Sequence, residues 1–232
     1  MTMDTAISTT IDPVLPLLAW LSPAYPVGAF AYSHGLESAL DAGLVTDASA
    51  LERWIGDLVR HGSVRQDAVL AAAAFRATGG EDTEPLAELN DLALALAPSR
   101  ERRLETASTG RAFVEVTRAA WPQAIAPGLP AEGDVAYPIA FGSAAGRLRL
   151  PLVSSLAAFV LGVVSNLVSA ALRLGAVGQT DAQRIVAAQV GPAEGLGAWA
   201  SQTTLDDLGG CALRSDIASL HHETLYSRLF RS

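Results

Sequence analysis

Apolar residues Leu51, Trp54, Ile55, Leu58 and Val59 recur at i, i+3, i+4, i+7 and i+8, a spacing that gathers them on one face of a helix. Thr46-Asp47 can cap that helix, and His61 sits at its end, where a basic side chain suits the helix dipole. Asp12-Pro13 opens a short helix carrying Leu15, Leu17, Leu18 and Trp20, which Ser22-Pro23 ends. Residues 67–77 are alanine-rich and helical, residues 78–82 read as an exposed loop, and residues 86–97 resume a helix. Ser99 caps a long helix to about Ala120, stopped by Trp121-Pro122, and residues 123–134 form the longest irregular connection. Residues 137–150 are helical, with Gly142, Ser143, Ala144, Ala145 and Gly146 permitting close approach of a neighbouring helix. Helices over about 181–190, 193–205 and 217–226 follow, the last capped by Ser215-Asp216. No stretch sustains strand-type alternation. The pattern predicts an all-α, single-domain helical bundle of about nine or ten helices over residues 1–232, with residues 1–11 a flexible N-terminus.

Pro151 to Leu172 is uncharged over 22 residues between Arg149 and Arg173, about the length that crosses a bilayer. Ser154, Ser155, Ser165, Asn166 and Ser169 interrupt it, so the expectation is a buried central helix rather than a membrane span.

The stretch Leu21-Ser-Pro-Ala-Tyr-Pro-Val-Gly-Ala-Phe-Ala-Tyr-Ser-His-Gly-Leu-Glu37 holds two prolines and two glycines in 17 residues. Pro23 and Pro26 force a turn, and Gly28 lets the backbone pass close to a neighbour. From Val27 the spacing predicts a helix with Val27, Phe30, Ala31, Leu36, Ala39 and Leu40 on its apolar stripe and Tyr32, Ser33, His34 and Glu37 at the edges. Adjacent residues on a helix point about 100° apart, so Ser33 and His34 do not pair there as nucleophile and base. The enzyme alternative is a small-molecule-binding helical protein with its site around Tyr32, Ser33 and His34. It requires a deep pocket with a second acid or base converging on it.

Charge and composition remove several classes. Acidic residues outnumber basic ones 24 to 16, for a net charge of −8, which argues against binding nucleic-acid phosphates. All 16 basic residues are arginine, so a Walker A phosphate contact, a pyridoxal Schiff base and a lysine general base are all excluded. Cys211 is the single cysteine, and His34, His61, His221 and His222 show no metal-ligand spacing. Nothing near Met1 resembles a secretory signal, so the expected location is cytoplasmic. The one dense basic cluster, Arg100, Arg102 and Arg103, is expected to be a solvated surface turn, with a partner contact as the alternative.

The last segment combines Leu220, Leu225, Leu229 and Phe230 with His222, Glu223, Tyr226, Arg228 and Arg231. Chain ends fray unless tied down, and aromatic and arginine anchors dominate interface energetics. A docking element and a tail packed on its own domain fit this composition equally.

Taken together, the stretch from Leu21 to Glu37, Arg173-Leu-Gly-Ala-Val-Gly-Gln-Thr-Asp181, and Asp216-Ile-Ala-Ser-Leu-His-His-Glu-Thr-Leu-Tyr-Ser-Arg-Leu-Phe-Arg-Ser232 resemble the UreF family of urease accessory proteins, with Tyr137-Pro-Ile-Ala-Phe-Gly142 a fourth, weaker match. In the family the middle stretch commonly reads Arg-Leu-x-Pro-Leu-Gly-Gln, and Ala176 and Val177 replace its proline and leucine. The resemblance implies an all-α, homodimeric, non-catalytic protein without a cofactor or metal of its own. Its implied partners are UreD (also called UreH), the GTPase UreG that delivers nickel, and the apo-urease subunits. It also implies a partner surface made by Gly28, Phe30, Tyr32, Ser33 and His34 together with His222, Glu223, Tyr226, Arg228, Leu229 and Phe230, on a docking segment spanning residues 216–232. Two expectations follow: Arg228 braces the tail against the turn from Pro26 to Phe30, and the tail is mobile until a partner binds.

Overall fold

A computed structural model describes residues 12–79 and 85–232, and every regular element among them is helical. The expected flexible N-terminus and most of the loop expected at 78–82 lie outside the described residues. Eleven α-helices follow one another: α1 (Val14–Trp20), α2 (Leu36–Asp41), α3 (Ala48–His61), α4 (Ser63–Gly79), α5 (Leu86–Ala95), α6 (Arg100–Ala120), α7 (Tyr137–Arg147), α8 (Leu152–Arg173), α9 (Gln179–Ala188), α10 (Val190–Ala200) and α11 (Leu213–His222). Nine of them are ten residues or longer, in line with the expected all-α bundle.

Two caps read from the sequence form as expected, whereas Ser215-Asp216 lies inside the last helix, which begins after Ala212 with no side-chain cap. Asp47 accepts from the Ala50 amide at 2.8 Å at the start of α3, and Ser99 accepts from the Arg102 amide at 3.1 Å at the start of α6. At the centre, α4 packs against α3, α5, α7, α8 and α10. Small residues make this possible, because Ala71 to Ala74 on α4 are buried and face a glycine-containing α7. A Cβ at Gly142 would lie 2.2 Å from the Ala71 carbonyl oxygen, so the two backbones meet where only glycine fits.

Helix α8 buries one face, including Leu156, Phe159, Val164, Leu167 and Ala171, and packs against α10, α4 and α9. It is long and apolar enough to cross a membrane, and half of its most apolar stretch is buried. Around it and α6 runs an aromatic cluster. Trp20 meets Phe113 edge-on at 5.6 Å, Phe141 and Phe159 lie 5.1 Å apart, and Tyr25 lies 5.5 Å from Phe113. The Tyr25 hydroxyl is also 2.8 Å from Thr117 Oγ1, which ties the proline turn to α6.

Four elements differ from expectation, two of them in bounds alone: α4 begins at Ser63 rather than 67, and α10 covers 190–200 rather than 193–205. The continuous helix expected from Val27 is instead a single 3-10 turn, Ala29–Ala31, an extended Tyr32 and then α2. Gly28, His34 and Gly35 all have positive φ, at 73°, 56° and 76°. For a non-glycine residue such as His34 this costs about 1–2 kcal/mol, and contacts from distant helices offset it. The last helix covers 213–222 rather than 217–226, because the chain turns at 223–225 to send the tail back across the molecule.

Candidate functional site

Three glutamates on two helices hold the C-terminal tail. Glu101 and Glu105 lie one turn apart on α6, so both face the same way, and Glu37 faces them from α2. Glu37 accepts from the Leu229 amide at 2.7 Å and the Phe230 amide at 2.9 Å. His222 is fully buried between carboxylates, with Nδ1 2.6 Å from Glu101 and Nε2 3.1 Å from Glu37. Arg228 closes on the other oxygen of Glu101. Glu105 accepts from the Ser232 hydroxyl at 2.7 Å, lies 2.7 Å from His34 Nδ1 and pairs with Arg102.

Backbone bonds finish the clamp. The Arg231 amide donates to the Ala31 carbonyl at 2.9 Å, and the Ser33 amide and hydroxyl both donate to the Ser232 carbonyl, at 2.7 and 2.5 Å. These bonds take the place of helical ones, which explains the extended Tyr32 and the left-handed His34. Arg173 donates to the Phe30 carbonyl at 2.5 Å and stacks 4.4 Å above the Phe230 ring. Glu223 accepts from the Arg100 amide at 3.0 Å, so the start of the tail caps the N-terminus of α6.

Burial sets the charge states. Desolvation opposes ionisation of Glu105, but Arg102, His34 and the Ser232 hydroxyl outweigh it and hold the carboxyl down at about 2. Desolvation, reinforced by Arg102, lowers His34 despite its glutamate neighbour. Burial also opposes ionisation of Glu37, but the two tail amides and His222 bring it below the usual carboxylate range. A carboxyl at about 2 against an ordinary 4.5 corresponds to about 3 kcal/mol of stability. Because the folded-state value is the lower one, this contribution is complete above about pH 4.5 and is lost as pH falls toward about 2. Glu105→Gln is therefore expected to lower stability at pH 7 and to flatten its pH dependence across that window. Urea unfolding at pH 7, 4 and 3 checks it.

Sequence reasoning misplaced several of these residues. Tyr32, Ser33 and His34 are buried rather than at a helix edge, and His222 and the tail's own Phe230 are buried as well. Arg102 is buried against Glu105 rather than solvated. Arg228 pairs with Glu101 on α6 and not with the proline turn, and Arg173 is the arginine that braces that turn. The residues of the expected surface that do reach solvent are Phe30, at 69 % exposure, Leu229, at 64 %, Tyr226 and Arg228, while Gly28 and Glu223 are half-buried. Glu101, Glu105, Arg173 and Ser232 went unrecognised. The i, i+4 glutamates inside the arginine cluster were the available signal.

The clamp joins the ends of the chain: the turn after α1 and the final residues form one surface, supported by α6 and α8. Comparison with known proteins bears on this arrangement. A family model described as UreF matches residues 45–189. A "Urease accessory protein UreF" of Xanthobacter autotrophicus is 52 % identical over 224 residues, covering 94 % of this chain and 91 % of the relative. The chain belongs to the UreF family. Proteins of the same name from Methylobacterium radiotolerans and Rhodopseudomonas palustris are 50 % and 48 % identical, covering 94 % and 93 % of this chain and 96 % and 92 % of their own lengths. These alignments take in nearly the whole of a UreF chain, so the likeness extends well beyond the span of the family model.

Of the three residues at the centre of the enzyme alternative, His34 lines the cleft beneath the proline turn, Tyr32 and Ser33 are not among the residues lining that cleft, and the Ser33 hydroxyl is spent on the Ser232 carbonyl. The named trio therefore does not converge on one pocket.

Proposed function

We propose that this UreF protein is a cytoplasmic, homodimeric and non-catalytic urease accessory scaffold, which bridges UreD (UreH) and the GTPase UreG while nickel is inserted into apo-urease. The name carried by its relatives supports the urease role. The observation that carries the scaffold reading is the clamped tail, which presents Phe30, Tyr226, Arg228 and Leu229 as exposed anchors on a surface fixed by polar contacts to Glu37 and Glu101. Anchors of this kind, held rigid before binding, contribute more affinity than mobile ones. The buried members of the expected surface, Tyr32, Ser33, His34, His222 and Phe230, act in this reading by shaping the surface. Glu223 and Gly28 set the path of the chain beneath it.

The test is reconstitution of urease activation from purified apo-urease, UreD, UreG, nickel and GTP. Leaving out this chain is expected to abolish activation. Tyr226→Ala with Leu229→Ala is expected to weaken capture of the UreD partner by about 30-fold, as for loss of an interface hot spot, with an unchanged circular-dichroism spectrum. Full activation without the chain would refute the reading.

A further inference from the structure

Beneath the proline turn lies a cleft of about 240 Å³, walled by Pro23, Pro26, Phe30 and Val163 and reaching down to Asp67 on α4. The cleft is smaller than the roughly 300–1,000 Å³ that takes a drug-sized ligand. It matches a single long side chain rather than a metabolite.

Its floor holds one carboxylate that no hydrogen bond or ion pair engages. Asp67 makes no hydrogen bond or ion pair among the described residues, although burial, opposed by Arg102 and reinforced by Glu105, raises its carboxyl to about 6. Thr109, buried on α6, has a hydroxyl without a hydrogen-bond partner. The Tyr137 hydroxyl on α7 also has none among the described residues, and burial pushes its ionisation up, so it stays neutral. The other charges at the floor are satisfied by one another, since Glu105 is paired with Arg102 and with His34. What remains is the Asp67 carboxylate, which faces Arg102 across the floor, two hydroxyls that accept or donate, and the Trp20 Nε1 donor, under apolar walls. A guanidinium or ammonium group offers only donors, on an apolar stem. An anion would meet Asp67 and Glu105. A metal would need a cage, and no group of three or more His, Cys, Asp or Glu side chains suited to one occurs among the described residues.

We infer that this cleft is the socket for a basic anchor side chain, arginine or lysine, projecting from a partner protein, with its stem between Pro26 and Phe30 and its charge on Asp67. The inference rests on the scaffold reading above and adds the chemistry of one contact. The exposed Phe30 ring at the mouth places the socket beside the anchors of the tail, and the partner's positive charge complements a chain of net charge −8.

The experiment has two arms. In the first, N-acetyl-arginine amide is titrated into the full chain by NMR, with N-acetyl-citrulline amide as the uncharged isostere. Saturable binding of the arginine probe in the millimolar range is expected, at least about tenfold weaker for citrulline and for Asp67→Asn, as for loss of a charge-assisted hydrogen bond. Equal binding of both probes, or none, overturns the socket. In the second arm, Asp67→Asn is expected to weaken capture of the accessory partners at least about tenfold, while exposed Asp57→Asn leaves it unchanged. Because Asn removes a desolvated charge, the variant stays folded, and a melting temperature at or above wild type verifies that. Unchanged capture by Asp67→Asn overturns the partner assignment, as does an effect of Asp67→Asn confined to self-association of this chain. If the wild-type chain captures no partner at all, the scaffold reading fails, and the probe arm still decides whether a basic group binds.

Discussion

Glu101→Ala is expected to release residues 223–232 from the body of the protein. Glu101 holds His222 through one oxygen and Arg228 through the other, so removing it leaves Arg228 without its carboxylate and the buried His222 Nδ1 without a partner, while His222 Nε2 still faces Glu37. Leaving a buried polar group unpaired costs about 1–3 kcal/mol, and more where a charged partner is involved, which is large beside the whole stability of a domain of this size. The loss should fall first on the tail, because the last ten residues lie outside any helix and are held mainly by this clamp. Hydrogen exchange reads it directly. The Leu229, Phe230 and Ser33 amides, which donate to Glu37 and to the Ser232 carbonyl, are expected to lose about 100-fold or more in protection, while α4 and α7 keep theirs. Undiminished protection at those three amides would show that the tail is held by something other than its charges. Partner capture should fall in step, since the exposed anchors would no longer be fixed relative to one another.

Gly142→Ala acts on the other part of the molecule on which everything rests. The added methyl would sit 2.2 Å from the Ala71 carbonyl oxygen and 2.8 Å from Ala71 Cα, both backbone atoms that no rotamer change can move. Helices α4 and α7 must then separate, opening the alanine-rich seam at the centre of the fold. The expected cost is about 3 kcal/mol or more, equivalent to a fall of about 6–12 °C in melting temperature for a domain of this length. Gly191→Ala in α10, where an added Cβ meets nothing within 4 Å, is expected to be neutral or to stabilise by about 0.5–1 kcal/mol. A thermal melt of the two variants side by side separates the packing effect from the general effect of adding a methyl to a helix. Equal melting temperatures would mean that the close approach does not limit stability.

Much of this was legible beforehand, for identifiable reasons. Helix α3 could be read because its apolar residues from Leu51 to Val59 keep one face and Asp47 caps it locally. The long α6 was readable from Ser99 at one end and Trp121-Pro122 at the other, and the capacity of α7 for a close helix contact from its run of small residues, though not that α4 would make it. The motif from Leu21 to Glu37 was recognised as special, but its backbone was misread. Its path depends on bonds to residues 231 and 232, some 200 positions away, which no local periodicity records. The last helix was shifted for the same reason, since the turn that ends it serves the tail.

The sequence by itself therefore determined that the chain is helical, where most helices begin and end, which of them can approach closely, and that its two ends carry unusual chemistry. Those are local properties: caps, 3.6-residue periodicity, proline and glycine geometry, and side-chain size. Only the tertiary structure decided that the ends meet, that Glu37, Glu101 and Glu105 converge from two helices on His222, His34, Arg228 and the final serine, and that Asp67 lines the cleft under the proline turn. Charges in the interior need partners, and packing alone decides which distant residues come near enough to serve.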